Sequence, residues 1–124
     1  MTSPETKLVL VVSDDADLRE DASYSFPNDY QVVLADDARE ALRIMSDRRP
    51  VLAIVDINTG SAGGFNLARE MGNVEGLADV PLVMLLERHQ DSWLARQAGA
   101  RIWRTKPVKG STLVREALAL LSPA

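Results

Sequence analysis

Three unbroken apolar runs, Leu8 to Val12, Val51 to Val55 and Leu82 to Leu86, constrain the fold of this chain more than any other feature. None alternates with polar residues, so as strands each would be buried on both faces. Each also ends abruptly on polar chemistry: Ser13-Asp14-Asp15 after the first, Asp56 after the second, Glu87 after the third. A strand covered on both faces belongs to a sheet with helices on either side, and the stretches between the runs have helical character.

The first strand spans Lys7 to Val12, and Asp17 to Ser25 then reads as a helix with Leu18, Ala22 and Ser25 or Phe26 on one side, closed by Pro27-Asn28-Asp29. Tyr30 to Ala35 is a second strand. Asp37 and Glu40 resemble a capping box, and Ala38, Ala41, Leu42 and Met45 follow at helical spacing until Arg48-Arg49-Pro50. The Gly-rich stretch Asn58 to Gly64 reads as a loop and Phe65 to Met71 as a short helix. Pro81 opens the strand Leu82 to Leu86, and Asp91 to Ala98 forms a helix with a thin apolar face, ended by Gly99. Arg101 to Thr105 is a strand interrupted by charge, and Ser111 to Leu121 a helix with Leu113, Val114, Ala117, Leu118 and Leu121 inward. Five βα units with short connections require crossovers, hence a parallel sheet, and such sheets place chemistry outside the carboxyl ends of their strands.

At 124 residues and 46% apolar content, residues 1–124 are expected to form one domain. No apolar run approaches the roughly 20 residues that span a bilayer, and residues 1–4 lack the organisation of a signal peptide, so a soluble cytoplasmic protein is expected. The absence of cysteine excludes disulfides, thiolate metal sites and cysteine nucleophiles. A net charge of −4 argues against direct nucleic-acid binding. Positive charge nevertheless gathers near the C-terminus in Arg96, Arg101, Arg104, Lys106 and Lys109, which reads equally as solvated surface or as a partner face.

Ser13-Asp14-Asp15 after the first strand, Asp56 at the end of the third, Gly64 in the following stretch and Lys106-Pro107 after the fifth recur in an order that, over Lys7 to Leu121, resembles the receiver domains of two-component response regulators. Val11 to Arg19 resembles the acidic pair after the first strand, Ile54-Val55-Asp56-Ile57 the phosphoacceptor strand, and Gly64 the loop glycine. Val80 to Leu85 resembles the fourth strand, and Ala98-Gly99-Ala100 with Trp103, Thr105, Lys106 and Pro107 the fifth with its Lys-Pro signature. The resemblance implies a doubly wound, flavodoxin-like α/β fold with strand order 2-1-3-4-5. It implies a phosphoryl group accepted on Asp56 from a sensor histidine kinase or histidine phosphotransfer protein, with no enzymatic activity beyond slow self-dephosphorylation. Mg²⁺ would be held by Asp14, Asp56 and the backbone carbonyl of Asn58, and Lys106 would contact the phosphate with a cis bond to Pro107. Trp103 stands at the switch aromatic. Output would pass through the fourth helix, fifth strand and fifth helix to a protein partner or a second copy, all the more so if these residues are the whole chain.

The chain departs from the family at several positions. Ser13 stands in place of an acid, which Asp15 could partly replace through water. Leu86 replaces the Thr or Ser whose hydroxyl would donate to the phosphoryl group, so this switch position has no donor. Glu87 puts an anion beside the pocket, Gly60 replaces a loop proline, and Arg104 occupies an apolar strand position. These changes support an alternative, a pseudo-receiver that binds proteins without phosphorylation, although Asp14, Asp56 and Lys106 are retained. Bland readings exist for single residues: Asp14 or Asp15 as a helix cap, Asp56 as a turn acid, Lys106 as a surface lysine, His89 as a solvated loop residue and Trp93 as helix packing or surface. A third reading, a haloacid-dehalogenase-type phosphatase suggested by Asp56-Ile57-Asn58-Thr59, fails because Asn58 cannot act as the acid/base.

Overall fold

The computed structural model describes residues 7–57 and 63–121, and the side chains of all of them except 63–65. Strand and helix alternate as β1 (Lys7–Val12), α1 (Ala16–Ser25), β2 (Tyr30–Ala35), α2 (Ala38–Asp47), β3 (Leu52–Asp56), α3 (Gly63–Asn73), β4 (Leu82–Leu86), α4 (Ser92–Gln97), β5 (Ile102–Thr105) and α5 (Gly110–Leu121). The strands form one parallel sheet in the order β2-β1-β3-β4-β5, as expected.

Successive residues of a strand face opposite sides, and here the two parities build two separate cores. Leu10, Val12, Ala53, Val55, Met84 and Leu86 join Ala41 and Met45 of α2, Leu67 and Met71 of α3, and Ala95 of α4. Val9, Val11, Leu52, Ile54, Val83 and Leu85 join Leu18 and Ala22 of α1 and Leu113, Val114 and Ala117 of α5. The apolar runs are therefore continuous because each strand supplies both cores. Every residue of β3 and β4 is buried.

The helix starts follow local chemistry. Of the two acids considered as caps, it is Asp15 that caps α1, its carboxylate accepting from the N–H groups of Asp17 and Leu18. At α2 the Asp37 carboxylate accepts from the Glu40 N–H, while the Glu40 carboxylate accepts from the N–H of Asp36, one residue before the cap.

The helix boundaries also bring corrections. The helix α3 begins at Gly63 and runs to Asn73, so Gly63 and Gly64 are helical rather than loop; residues 58–62 of the expected loop lie outside the described residues. Glycine disfavours helix, but burial of Leu67, Ala68 and Met71 against the sheet outweighs that local preference. The expected Asp91 to Ala98 helix is a single 3-10 turn, His89–Asp91, followed by α4. Only Ala95 of α4 is buried, too little apolar surface to hold a longer regular helix. Gly99, at φ +90°, ends that segment in the left-handed region that favours glycine.

The helices α1 and α5 approach closely where Gly110 meets Asp21: a Cβ at Gly110 would fall well inside van der Waals contact of the Asp21 Cβ. Since a Cβ cannot rotate away, Gly110→Ala should push the helices apart and cost about 1–3 kcal/mol in urea unfolding. Gly72 of α3 faces open space, so Gly72→Ala should instead stabilise by about 0.5–1 kcal/mol. Equal effects of the two substitutions would refute the close-approach reading.

Candidate functional site

Register brings the polar strand ends together. Val12 pairs with Val55, so the next step places Ser13 beside Asp56; Leu86 pairs with Thr105, which delivers Lys106 to the same edge. The Ser13 N–H donates to Ala35 O at 3.1 Å, and the Lys106 N–H donates to Leu86 O at 2.8 Å, extending the ladders by one residue beyond the strands.

Ser13 and Asp56 are the buried polar residues among those described. A buried carboxylate is costly unless charge and hydrogen bonds compensate it, and both are present. Ser13 Oγ donates to Asp56 Oδ2 at 3.0 Å, and Lys106 Nζ donates to the same oxygen at 2.6 Å. Ser13 Oγ in turn accepts from the Asp15 N–H at 3.0 Å. With that side of the hydroxyl occupied, its single proton is directed at Asp56. Lys106 Nζ also reaches Glu87 Oε1 at 3.4 Å, a weaker contact because Glu87 is half exposed. The Lys106–Pro107 peptide is cis.

Burial alone would lower the Lys106 pKa. The hydrogen bond and charge of Asp56, joined by those of Glu87, outweigh it and raise the ammonium above its ordinary 10.5.

The structure thus unites Ser13, Asp56, Lys106 and Glu87. Asp14 is exposed at the end of β1, Asp15 serves the α1 cap, and Asn58 lies outside the described residues. Pro107 lines a cleft of about 260 Å³ with Lys106, Asp15, Asp17 and Asp21. Leu86 is wholly buried, and half-buried Trp103 packs against the core to which Leu86 belongs. Trp93, 53% exposed, is a surface aromatic, and His89 is exposed on the 3-10 turn. A larger hollow of about 480 Å³ lies at the opposite end of the sheet near Met45 and Leu77, away from these groups.

Apart from the Lys106 ammonium, the side chains of Ser13, Asp14 and Asp56 at this edge offer oxygen, the chemistry of a hard cation, and Asp14 and Asp56 follow or end the adjacent strands β1 and β3. Mg²⁺ needs only one or two carboxylates when water and phosphate oxygens complete its shell, so these residues fit it.

Two contacts escaped the sequence reading. Arg19 of α1 donates from Nη1 to the Ser13 carbonyl at 3.1 Å and to the Asp36 carboxylate. Its signal was available, because side chains in a helix lean toward the preceding turn and one early in α1 can reach back to the end of β1. Arg104, which interrupted the apolar pattern of the last strand, is exposed and ion-paired with Glu116 of α5.

A family model described as the response regulator receiver domain matches residues 9–118. The chain is 28% identical over 118 residues to the phosphate regulon transcriptional regulatory protein PhoB of Pseudomonas aeruginosa, a match covering 93% of this chain and 52% of that protein. It is 33% identical over 117 residues to the response regulator MprA of Mycolicibacterium vanbaalenii, covering 91% and 49%. The chain spans about half the length of these curated relatives. Among solved structures, the chemotaxis response regulator CheY4 of Vibrio cholerae has a TM-score of 0.84 at 25% identity, over 93% of this chain and 98% of that one.

The Lys106 interaction has a pH signature. A lysine whose pKa is raised on folding contributes stability that is fully present below its unfolded value of 10.5 and is lost as pH rises through the folded value. Urea midpoints should therefore fall more steeply above pH 10.5 in the parent than in Lys106→Gln. Parallel curves would show that the Asp56 contact does not hold the proton.

Proposed function

The chain belongs to the response regulator receiver domain family, and on that basis we propose that residues 1–124 act as a single phosphoacceptor receiver domain in a cytoplasmic two-component relay. The observation that carries this reading is the buried Asp56 carboxylate at the end of a central strand, with the Lys106 ammonium 2.6 Å from one of its oxygens.

The donor would be the phospho-histidine of a sensor kinase or phosphotransfer protein. A carboxylate oxygen of Asp56 attacks phosphorus in line; the new O–P bond forms as the N–P bond breaks, and the electron pair leaves with the imidazole nitrogen. Ser13 and Lys106 both grip Oδ2, which fixes the plane of the nucleophile before the donor arrives. As charge passes to the phosphoryl oxygens, Lys106 follows it as a point charge. Asp14 and Asp56, with the Asn58 carbonyl by family resemblance, would hold Mg²⁺, which supplies charge neutralisation on the equatorial oxygens. No further turnover is proposed beyond slow self-dephosphorylation.

Output would pass through α4, β5 and α5 to a protein partner or a second copy. Arg96, Arg101 and Lys109 are exposed there, while the charge of Arg104 is matched by Glu116.

Leu86 favours a second reading, a pseudo-receiver that binds its partner regardless of phosphorylation. Wholly buried and without a donor, Leu86 cannot answer a phosphoryl group at the end of β4.

Incubation with phosphoramidate and Mg²⁺ should add one phosphoryl mass to the parent and none to Asp56→Asn; an unmodified parent would sink the phosphoacceptor reading. The switch itself should be muted. A hydrogen bond to a charged group contributes about 1.5–3 kcal/mol, enough to move a two-state population about ten-fold, and Leu86 forfeits it. In a Trp93→Phe background, Trp103 fluorescence should therefore change little on forming the beryllofluoride adduct, and change more with Leu86→Thr. An equal, large response in both would show the hydroxyl to be dispensable.

A further inference from the structure

Arg19 takes no part in the chemistry above, yet it is bound to the residue that orients Asp56. One nitrogen, Nη1, donates both to the Ser13 carbonyl at 3.1 Å and to the Asp36 carboxylate. Asp36, just beyond β2, is itself tied through its N–H to the Glu40 carboxylate at 2.9 Å. Ser13 is thereby held at every polar atom. Its N–H goes to Ala35, its carbonyl accepts from Arg19, and its hydroxyl accepts from the Asp15 N–H and donates to Asp56.

As a surface ion pair alone, Arg19 with a 67% exposed Asp36 would contribute little. Its second contact matters more. The bond to the Ser13 carbonyl acts on the peptide whose side chain grips the nucleophile, and small displacements of a positioned reacting group are costly to rate.

We propose that Arg19 is a positioning residue, fixing the Ser13 peptide against Asp36 so that the Ser13 hydroxyl sets the orientation of the Asp56 carboxylate. The consequence for reactivity rests on Asp56 being the phosphoacceptor; the consequence for carboxylate geometry does not. A link through Ser13 also predicts non-additivity in the carboxylate geometry, because without the hydroxyl the Ser13 side chain no longer contacts Asp56. Since a single nitrogen makes both contacts, a lysine ammonium can substitute for it.

The test follows two readouts in the full chain: the Asp56 side-chain carboxyl carbon resonance without any donor, and the rate of mass gain with phosphoramidate and Mg²⁺. Arg19→Gln should shift the resonance and slow phosphorylation roughly three- to ten-fold, and Arg19→Lys should restore most of both. In a Ser13→Ala background Arg19→Gln should leave the resonance unmoved, and Arg39→Gln, which removes an exposed charge from α2, should alter neither readout in the parent. Equal effects of Arg19→Gln with and without the Ser13 hydroxyl would overturn the proposal in favour of a field effect. A fall in melting temperature with both readouts unmoved would overturn it in favour of a purely structural role. If the parent accepts no phosphoryl group, the phosphoacceptor reading fails, and the resonance series alone decides whether Arg19 acts through Ser13.

Discussion

The Asp56 Oδ2 oxygen, shared by the Ser13 hydroxyl and the Lys106 ammonium, is the contact on which this edge of the molecule depends. A carboxylate buried at the end of β3 is tolerable only if donors reach it from both neighbouring directions. The topology supplies them: Ser13 arrives from β1 on one side, and Lys106 from β5 beyond β4 on the other. Each donor is in turn held by backbone bonds that continue the ladders past the strands. The charged pair therefore specifies how far the strands extend together, in addition to whatever chemistry it serves. The strands tolerate such a site because their polar groups appear only at the ends, beyond the apolar runs that fill the two cores.

Much of this was legible in the sequence because the governing interactions are periodic or local. The unbroken runs in β1, β3 and β4 announced strands feeding two cores, and the two cores are formed by alternate residues of those runs. Asp37 and Glu40 marked the start of α2 through bonds spanning a few residues. The failures lie where local preference competes with packing. Gly63 and Gly64 read as loop although the apolar face of α3 carries the helix through them, and the thin face of α4 left its start to a 3-10 turn. Pairings across distant segments gave no local sign at all. The bond from Ser13 to Asp56 joins residues 43 apart, and its direction depends on what the hydroxyl already accepts.

Arg104 illustrates how an apparent anomaly in a pattern can be resolved by an edge. On an interior strand, a charged residue amid Trp103 and Thr105 would bury a cation; β5 is the last strand of the sheet, and Arg104 turns outward to Glu116. Part of the C-terminal positive charge is therefore internally matched, and the basic character of this face rests on Arg96, Arg101 and Lys109. The same caution applies to Lys106, whose charge is drawn inward by Asp56.

Ser13 and Glu87 together displace charge across the site without removing it. Relative to the acidic pattern it resembles, the chain has lost a carboxylate at the end of β1 and gained one just beyond β4, on the far side of Asp56. Lys106 lies between the two remaining claims on it, Asp56 at 2.6 Å and Glu87 at 3.4 Å. The shorter contact is also the more buried, and charges attract more strongly where water screens them less, so Asp56 holds the ammonium. Glu87, half exposed, is screened and contributes less, yet it marks the direction in which Lys106 can lean. On the proposed chemistry, forming the acyl phosphate moves negative charge from the Asp56 carboxylate to the phosphoryl oxygens. Those oxygens must then outbid Glu87 for the same ammonium, without help from a hydroxyl at Leu86. On that chemistry, the contest for Lys106 together with the missing hydroxyl at Leu86 would set how firmly this site holds a phosphoryl group.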